Sequence, residues 1–378
     1  MIKSNASLDM ESKSSTLVNE FAPKRPFLER FERWEWILVA LIIIVVILNS
    51  RLSPYFLDAQ NLSRTSSGFM EIGILMLPMV FIIISGNIDL SVASNLGMSA
   101  SLMGLLFNLG VNIWVAAFAA ILLGTCGGLL NGYLIARVKL PSLVVTLGTY
   151  AFYRGLAYVF LGDQAARDYP EAFTYLGQGK LPGTLLPFSV ALFVVLAIIF
   201  GLVLHKTTFG RYLFAIGNNQ EAAIYSGVPV ARIKIMLFTL SGFISSLVAL
   251  VLAARFGSTR PDIGTGLELT VITAVVLGGI NIRGGFGTMI GAALSLILIG
   301  LVRFGMGLVS IQGQVQGVVI GMLLILSILL PSIFREIFAS GLRANRNSIL
   351  SVLAITALFV MFFIFFFWSR ATPLIPGS

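Results

Sequence analysis

Charge is scarce in this chain. Only 11% of its 378 residues are Asp, Glu, Lys or Arg, against about 25% in soluble globular domains. With 57% hydrophobic residues and a mean hydropathy of +0.96, it cannot fold as an ordinary soluble protein. Composition predicts a polytopic membrane protein. The single cysteine, Cys126, excludes an internal disulfide, and its place beside Gly127 and Gly128 in an apolar run marks a packed small residue. The single histidine, His205, excludes a His-built metal cluster. Acidic residues are scattered over separate loops, so no Cys-His nucleophile or metal hydrolase is supported, and a Ser-His pair would have to use His205. A phosphate loop is also missing. That loop needs Gly-x-x-x-x-Gly-Lys followed by Ser or Thr, whose amides cradle phosphate and whose hydroxyl holds magnesium. The only Gly-Lys pair, Gly179-Lys180, is followed by Leu181. Any nucleotide hydrolysis therefore belongs to another polypeptide, and no cofactor or metal is expected on this one.

The net charge of +9 is distributed in short segments between apolar runs. Membrane proteins acquire that pattern from the positive-inside rule, whereas a nucleic-acid binder would need a basic domain outside the membrane. Residues 1–33 are polar and Ser-rich, without the early apolar stretch of a cleavable signal, and read as a cytoplasmic tail. Lys24, Arg25, Arg30 and Arg33 precede the first span, with Trp34 and Trp36 as interfacial anchors.

Eleven apolar segments follow: Trp36–Leu48, Phe69–Ile84, Leu96–Leu109, Ile113–Leu130, Leu143–Val159, Leu185–Leu204, Ile235–Ala253, Leu269–Ile282, Met289–Val302, Val315–Leu330 and Ile349–Phe367. Several are shorter than the ~20 residues of a full span, as broken or re-entrant transporter helices are. With the N-terminus inside, Arg137–Lys139, His205–Lys234, the turn at Arg283 and Arg335–Arg346 become cytoplasmic, and all are basic. Leu161–Gly183 and Arg255–Glu268, of mixed charge, fall on the other side. The chain thus divides into the tail, a transmembrane region over 34–334, a basic linker over 335–347 and an added C-terminal span over 348–378. The fold class expected is all-α, a transmembrane bundle with broken helices and two related halves.

One stretch between two apolar runs is conspicuously polar: Ser85-Gly86-Asn87-Ile88-Asp89-Leu90-Ser91-Val92-Ala93-Ser94-Asn95-Leu96-Gly97. An ionisable group at a helix centre in the membrane costs roughly 2.5 to 3.5 kcal/mol on insertion scales, so Asp89 is expected to face protein or a cavity. Gly86 and the Asn and Ser side chains suit a helix interruption, where freed backbone groups need local partners. A faint repeat lies 194 residues on, Asn281-Ile282-Arg283 against Asn87-Ile88-Asp89, with Gly291 matching Gly97. Arg283 is accordingly a candidate charge partner for Asp89.

The stretch resembles the Gly-Gly-Ile-Asp-Leu-Ser-Val-Gly signature of permease subunits of bacterial sugar-importing ABC transporters, the ribose, xylose and autoinducer-2 group. Asn87 and Ala93 stand where that signature has Gly. Phe256-Gly257-Ser258-Thr259-Arg260-Pro261-Asp262-Ile263-Gly264 and the run Ala274–Gly287 look like the same family, and the likeness covers roughly Trp36 to Pro331. It implies import of a monosaccharide or similar small polar solute across the bacterial inner membrane by alternating access. It also implies three partners: an ABC ATPase subunit that uses the ATP, a periplasmic solute-binding protein, and a second permease copy or paralogue. A branched-chain amino-acid or nucleoside ABC permease is the nearest alternative. An ion-coupled secondary transporter, with Asp89 as its carboxylate, is the alternative from another class.

Two further motifs have competing readings. In the loop Lys206–Lys234, Asn218 or Asn219 can cap a short helix over Gln220–Tyr225 with Gly227 as its stop. Such a helix either rests on lipid headgroups or docks on a partner, and Ala222 and Ala223 offer little apolar area to a membrane. It resembles the family's coupling helix, which makes Gly217, Asn218, Glu221, Ala222, Ala223 and Gly227 the ATPase-contact candidates. Thr146, Thr149 and Tyr153 form one helical stripe, which either lines a hydroxyl-binding passage or packs against a neighbouring helix. With Asn87, Asp89, Ser91, Asn95 and Asn281 they make up the candidate pathway. The Gly-rich run Ala274–Gly287 either forms a second broken segment or marks tight helix packing.

Overall fold

In the computed structural model, residues 26–339 are described, with side chains over 34–326. Ten of the eleven apolar segments coincide with helices. The eleventh, Ile349–Phe367, lies outside the described residues, as does most of the basic linker. The elements are α1 (Pro26–Leu52), α2 (Ala59–Ile84), α3 (Val92–Asn108), α4 (Ile113–Ala136), α5 (Ser142–Leu161), β1 (Ala166–Arg167), α6 (Glu171–Gln178), α7 (Phe188–Lys206), α8 (Thr208–Asn218), α9 (Gln220–Tyr225), α10 (Val230–Phe256), β2 (Ser258–Thr259), α11 (Leu267–Leu277), α12 (Met289–Leu308) and α13 (Gly313–Ala339). Seven of these, α1, α2, α4, α5, α7, α10 and α12, are long and apolar enough to cross a membrane. The seventeen residues of α3 and eleven of α11 are shorter.

The bundle is built around α2. Of its membrane-length window 83% is buried, against 11% for α1 and 17% for α7, which lie at the periphery. Residues Met70 to Ile84 are all buried, which explains why the run from Ile72 on is apolar on every face. At about 1.5 Å per residue, its 26 residues exceed the ~30 Å of a hydrocarbon core. The polar stretch at 85–91 is therefore the end of a complete span, not an interruption at its middle. Gly86 turns the chain there with φ +76°. Asn87 and Ala93 take ordinary negative φ, so a glycine is not required at either place.

Antiparallel α4 and α10 cross at backbone contact. A Cβ on Gly128 would lie 2.2 Å from the Phe238 carbonyl oxygen, and one on Gly242 would lie 2.3 Å from that of Gly124. Gly124, Gly128 and Gly132 recur every fourth residue on the facing side of α4, the small-residue spacing that lets membrane helices approach closely.

The two ends of the bundle differ. At one end β1 pairs antiparallel with β2, Ala166 opposite Thr259, and α6 lies against the last turn of α10. Gln178 Nε2 donates to the Ala254 and Arg255 carbonyls at 3.2 and 3.1 Å. Tyr169 donates its hydroxyl to Thr259 Oγ1 at 2.8 Å, and burial pushes its phenol above the ordinary range. At the other end the α8–α9 arm meets the turn at Arg283, so basic connections separated in sequence share one face.

Candidate functional site

Asp89 is 2% exposed and fully engaged. Its Oδ1 accepts from the Ser91 amide at 2.9 Å and the Ser91 hydroxyl at 2.6 Å, and its Oδ2 accepts from Ser241 of α10 at 2.8 Å. Arg283 is exposed and is not its partner. Geometry explains the difference: the 194-residue offset brings the two loops together through their backbones, while Asp89 turns inward toward α10. The network continues outward from Ser91, whose hydroxyl accepts from Asn131 Nδ2 of α4 at 2.8 Å. Tyr153 of α5 donates to the Gly127 carbonyl at 2.8 Å. Asn95 Nδ2 donates to the Gly124 carbonyl at 3.0 Å. Four helices are thus joined by neutral donors around one carboxylate.

The stripe Thr146, Thr149, Tyr153 is buried against this network. Ser142 Oγ accepts from the Ile88 amide and Thr146 Oγ1 donates to the Ile88 carbonyl, each at 3.3 Å, so the start of α5 holds both main-chain polar groups of one loop residue. Thr149 returns its hydroxyl to Val145 of its own helix at 3.0 Å. In this conformation the stripe packs helix to helix. One turn on, Arg154 donates to the Pro261 carbonyl at 2.6 Å, to Ile263 at 3.1 Å and to Ala93 at 3.2 Å. It pins the loop after β2 to the start of α3.

The second loop, 278–288, is a turn-rich connection between α11 and α12. Asn281 accepts on its side chain from the Arg283 amide at 3.0 Å and on its carbonyl from Gly284 at 2.8 Å. Its flanks are held by α1: Trp34 Nε1 donates to the Leu277 carbonyl at 3.0 Å and Thr288 Oγ1 donates to Glu35 at 2.9 Å. Trp36 is 68% exposed, as an interfacial anchor would be, but Trp34 is a bracket. The two loops touch where the Gly285 amide donates to the Ile84 carbonyl at 2.8 Å.

Helix α9 spans Gln220–Tyr225, capped by Asn219, whose side chain accepts from the Ala222 amide at 3.0 Å. Gly227 follows in the left-handed region at φ +81°. Asn218, Glu221, Ala222 and Gly227 are exposed, but Ala223 is buried against the arm. Gly217 is not on this helix at all. It sits in the last turn of α8, packed on the two loops.

Residues that sequence reasoning missed include Asn131 and Ser241, the partners of the loop. Asn131 is flanked by apolar and small residues and Ser241 is one of several hydroxyl residues in α10, so neither stands out, and only the crossing of α4 and α10 aligns them. The Gly124-x₃-Gly128-x₃-Gly132 spacing was a readable signal. Ile224 and Tyr225, 52% and 90% exposed, stand out only once α9 is seen projecting from the arm. Glu71 and Arg255, an ion pair at 2.5 Å, are 184 residues apart and no local pattern joins them.

Residues 61–328 match the family described as "Branched-chain amino acid transport system / permease component". The autoinducer 2 import system permease protein LsrD of Escherichia coli strain K12 is 38% identical over 298 residues, covering 77% of this chain and 90% of the relative. LsrD of Shigella flexneri and of Escherichia coli O157:H7 match to the same extent. No solved structure matches the chain. The matched region runs from the start of the central α2 into α13, and so contains the Asp89 network, both loops and the α8–α9 arm. The chain belongs to this family of ABC importer permeases, and is a multi-pass transport subunit of the inner membrane rather than an enzyme.

Proposed function

We propose that this permease imports a small hydroxyl-rich solute of the monosaccharide or autoinducer-2 kind, with ATP hydrolysed by a separate ATPase docked at α9. The observation that carries the solute class is the 38% identity to permeases named for autoinducer 2 import, over 90% of their length. The docking role rests on Tyr225. An aromatic side chain 90% exposed at the end of a six-residue helix has no internal partner, and aromatic anchors are the residues that dominate protein interfaces. A solute-binding protein meets the opposite end, where the β1–β2 pair and α6 form a folded cap. A second copy of the chain or a paralogue completes the pathway between two permeases. The rival ion-coupled reading loses support because every oxygen of Asp89 is taken by protein donors.

Reconstitution with the ATPase and binding protein tests this. Uptake of labelled autoinducer 2 or a pentose should require ATP and persist in a protonophore, and Tyr225→Ala should reduce ATPase co-purification at least about tenfold, as loss of a hot-spot aromatic does. Leucine uptake in place of sugar uptake would favour the branched-chain alternative. Collapse of uptake under the protonophore at constant ATP would favour the ion-coupled one.

A further inference from the structure

Four glycines from three segments meet backbone to backbone where the α8–α9 arm joins the bundle. A Cβ on Gly217 would lie 1.9 Å from the Ile84 carbonyl oxygen and 2.4 Å from the Gly285 amide nitrogen. Those two atoms are the partners of the hydrogen bond that joins the loops. A Cβ on Gly284 would lie 2.8 Å from the Gly86 nitrogen and 3.0 Å from the Gly217 Cα. At Gly217 itself no side chain stands between the segments, and the Asn218 side chain lies beside the contact, against Gly285. Side chains can absorb a displacement by turning about their χ angles, but main chain in contact with main chain has no such freedom.

The arm itself has little slack. Asn219 ends α8, its amide donating to the Ala215 carbonyl at 3.1 Å, and the same residue begins α9 through its side chain. Gly217 is two residues away. On the far side of the contact, Ile84 is the last residue of the central α2. Gly285 lies three residues before Thr288, which caps α12 by accepting from the Gly291 amide at 3.0 Å. A push on α9 therefore reaches the ends of α2 and α12 directly through this backbone contact, beside the packing of Phe209 on Phe81 and the Lys234–Gln220 hydrogen bond to α10.

We infer that Gly217 is a positioning residue for coupling: it touches no partner, but keeps the arm and both loops moving as one rigid unit. The inference rests on the reading that the ATPase docks at α9. It predicts a contrast between a wedge and a tether. Gly217→Ala inserts a methyl group into the contact, and should lower uptake at least tenfold while the ATPase co-purifies and hydrolyses ATP at wild-type levels. Gly155→Ala, where a Cβ meets open space, should leave all three unchanged. Tethering the arm to the second loop joins parts that already move together. Asn218→Cys with Arg283→Cys in a Cys126→Ser background, joined by a short bis-maleimide and scored by gel shift, should keep at least half of the uptake that the same variant shows before joining.

Hydrogen exchange on the purified full-length permease alone gives a readout independent of any ATPase. In Gly217→Ala, peptides covering 82–90 and 279–288 should both exchange faster than in the wild type. Exchange confined to the arm, loss of ATPase co-purification in Gly217→Ala, wild-type uptake by it, or abolition of uptake by the tether would each overturn the inference. If Gly217→Ala does not insert, the tether decides. Failure of the docking reading looks different: the wild type itself would not retain the ATPase, while the exchange result would stand.

Discussion

Arg255 Nε lies 2.5 Å from Glu71 Oε1 and ties the last turn of α10 to the interior of α2 across 184 residues. Glu71 is buried, whereas the Arg255 side chain is 27% exposed and also lies over the Phe256 ring at 4.5 Å. The pair is therefore asymmetric. Arg255→Ala strands a charge inside the bundle, and should lower stability by about 3 to 5 kcal/mol, as breaking one side of a buried pair does. The double variant Glu71→Gln with Arg255→Met should recover most of that loss. Thermal unfolding in detergent measures both. A double variant no more stable than Arg255→Ala would show that the charge pair is not what holds these helices.

Asp89 supports the loop through three accepted hydrogen bonds, each contributing about 1 kcal/mol net. Asn keeps one carbonyl oxygen for Ser91 and presents an amide to the Ser241 oxygen, which can accept. Asp89→Asn should therefore retain at least about a third of wild-type uptake, whereas Asp89→Ala, which takes the acceptor from the Ser91 amide and from the Ser91 and Ser241 hydroxyls, should fall below about a tenth. Neither should change the response to a protonophore. Outright loss in Asp89→Asn alone would point to a required negative charge.

The α4–α10 crossing depends on the absence of side chains at Gly128 and Gly242. Gly128→Val would drive a β-branched group into the Phe238 carbonyl, and overpacking of this kind costs about 1 to 3 kcal/mol or more. Reduced yield and a lowered melting temperature are expected. Gly148→Val, at an α5 position where a Cβ meets open space, should leave both nearly unchanged. Equal effects of the two would mean that helix propensity, not close approach, sets the cost.

How much of this was legible beforehand follows from how local each signal is. The run of apolar residues and the near absence of charge determined a helical membrane bundle, because hydrocarbon leaves no other way to satisfy the backbone over such lengths. Asn219, Gln220–Tyr225 and Gly227 spelled out a capped helix within nine residues, and the structure has that helix with that cap. The Ser85–Gly97 stretch announced a polar helix interruption facing protein; its burial was legible, but the structure makes residues 85–91 the end of a complete span and 92–97 the start of the next helix.

What the sequence left open was which polar groups meet. Asp89 had an apparent partner in Arg283 at the repeat offset, yet it bonds to Ser241, because the crossing of α4 and α10 at their glycines decides which residues come within 3 Å. Gly217 read as a surface contact from its neighbours in the chain, and became an internal one because the arm folds back onto two loops 133 and 68 residues away. Burial, pairing and contact are properties of distance in space, and only tertiary packing sets those distances.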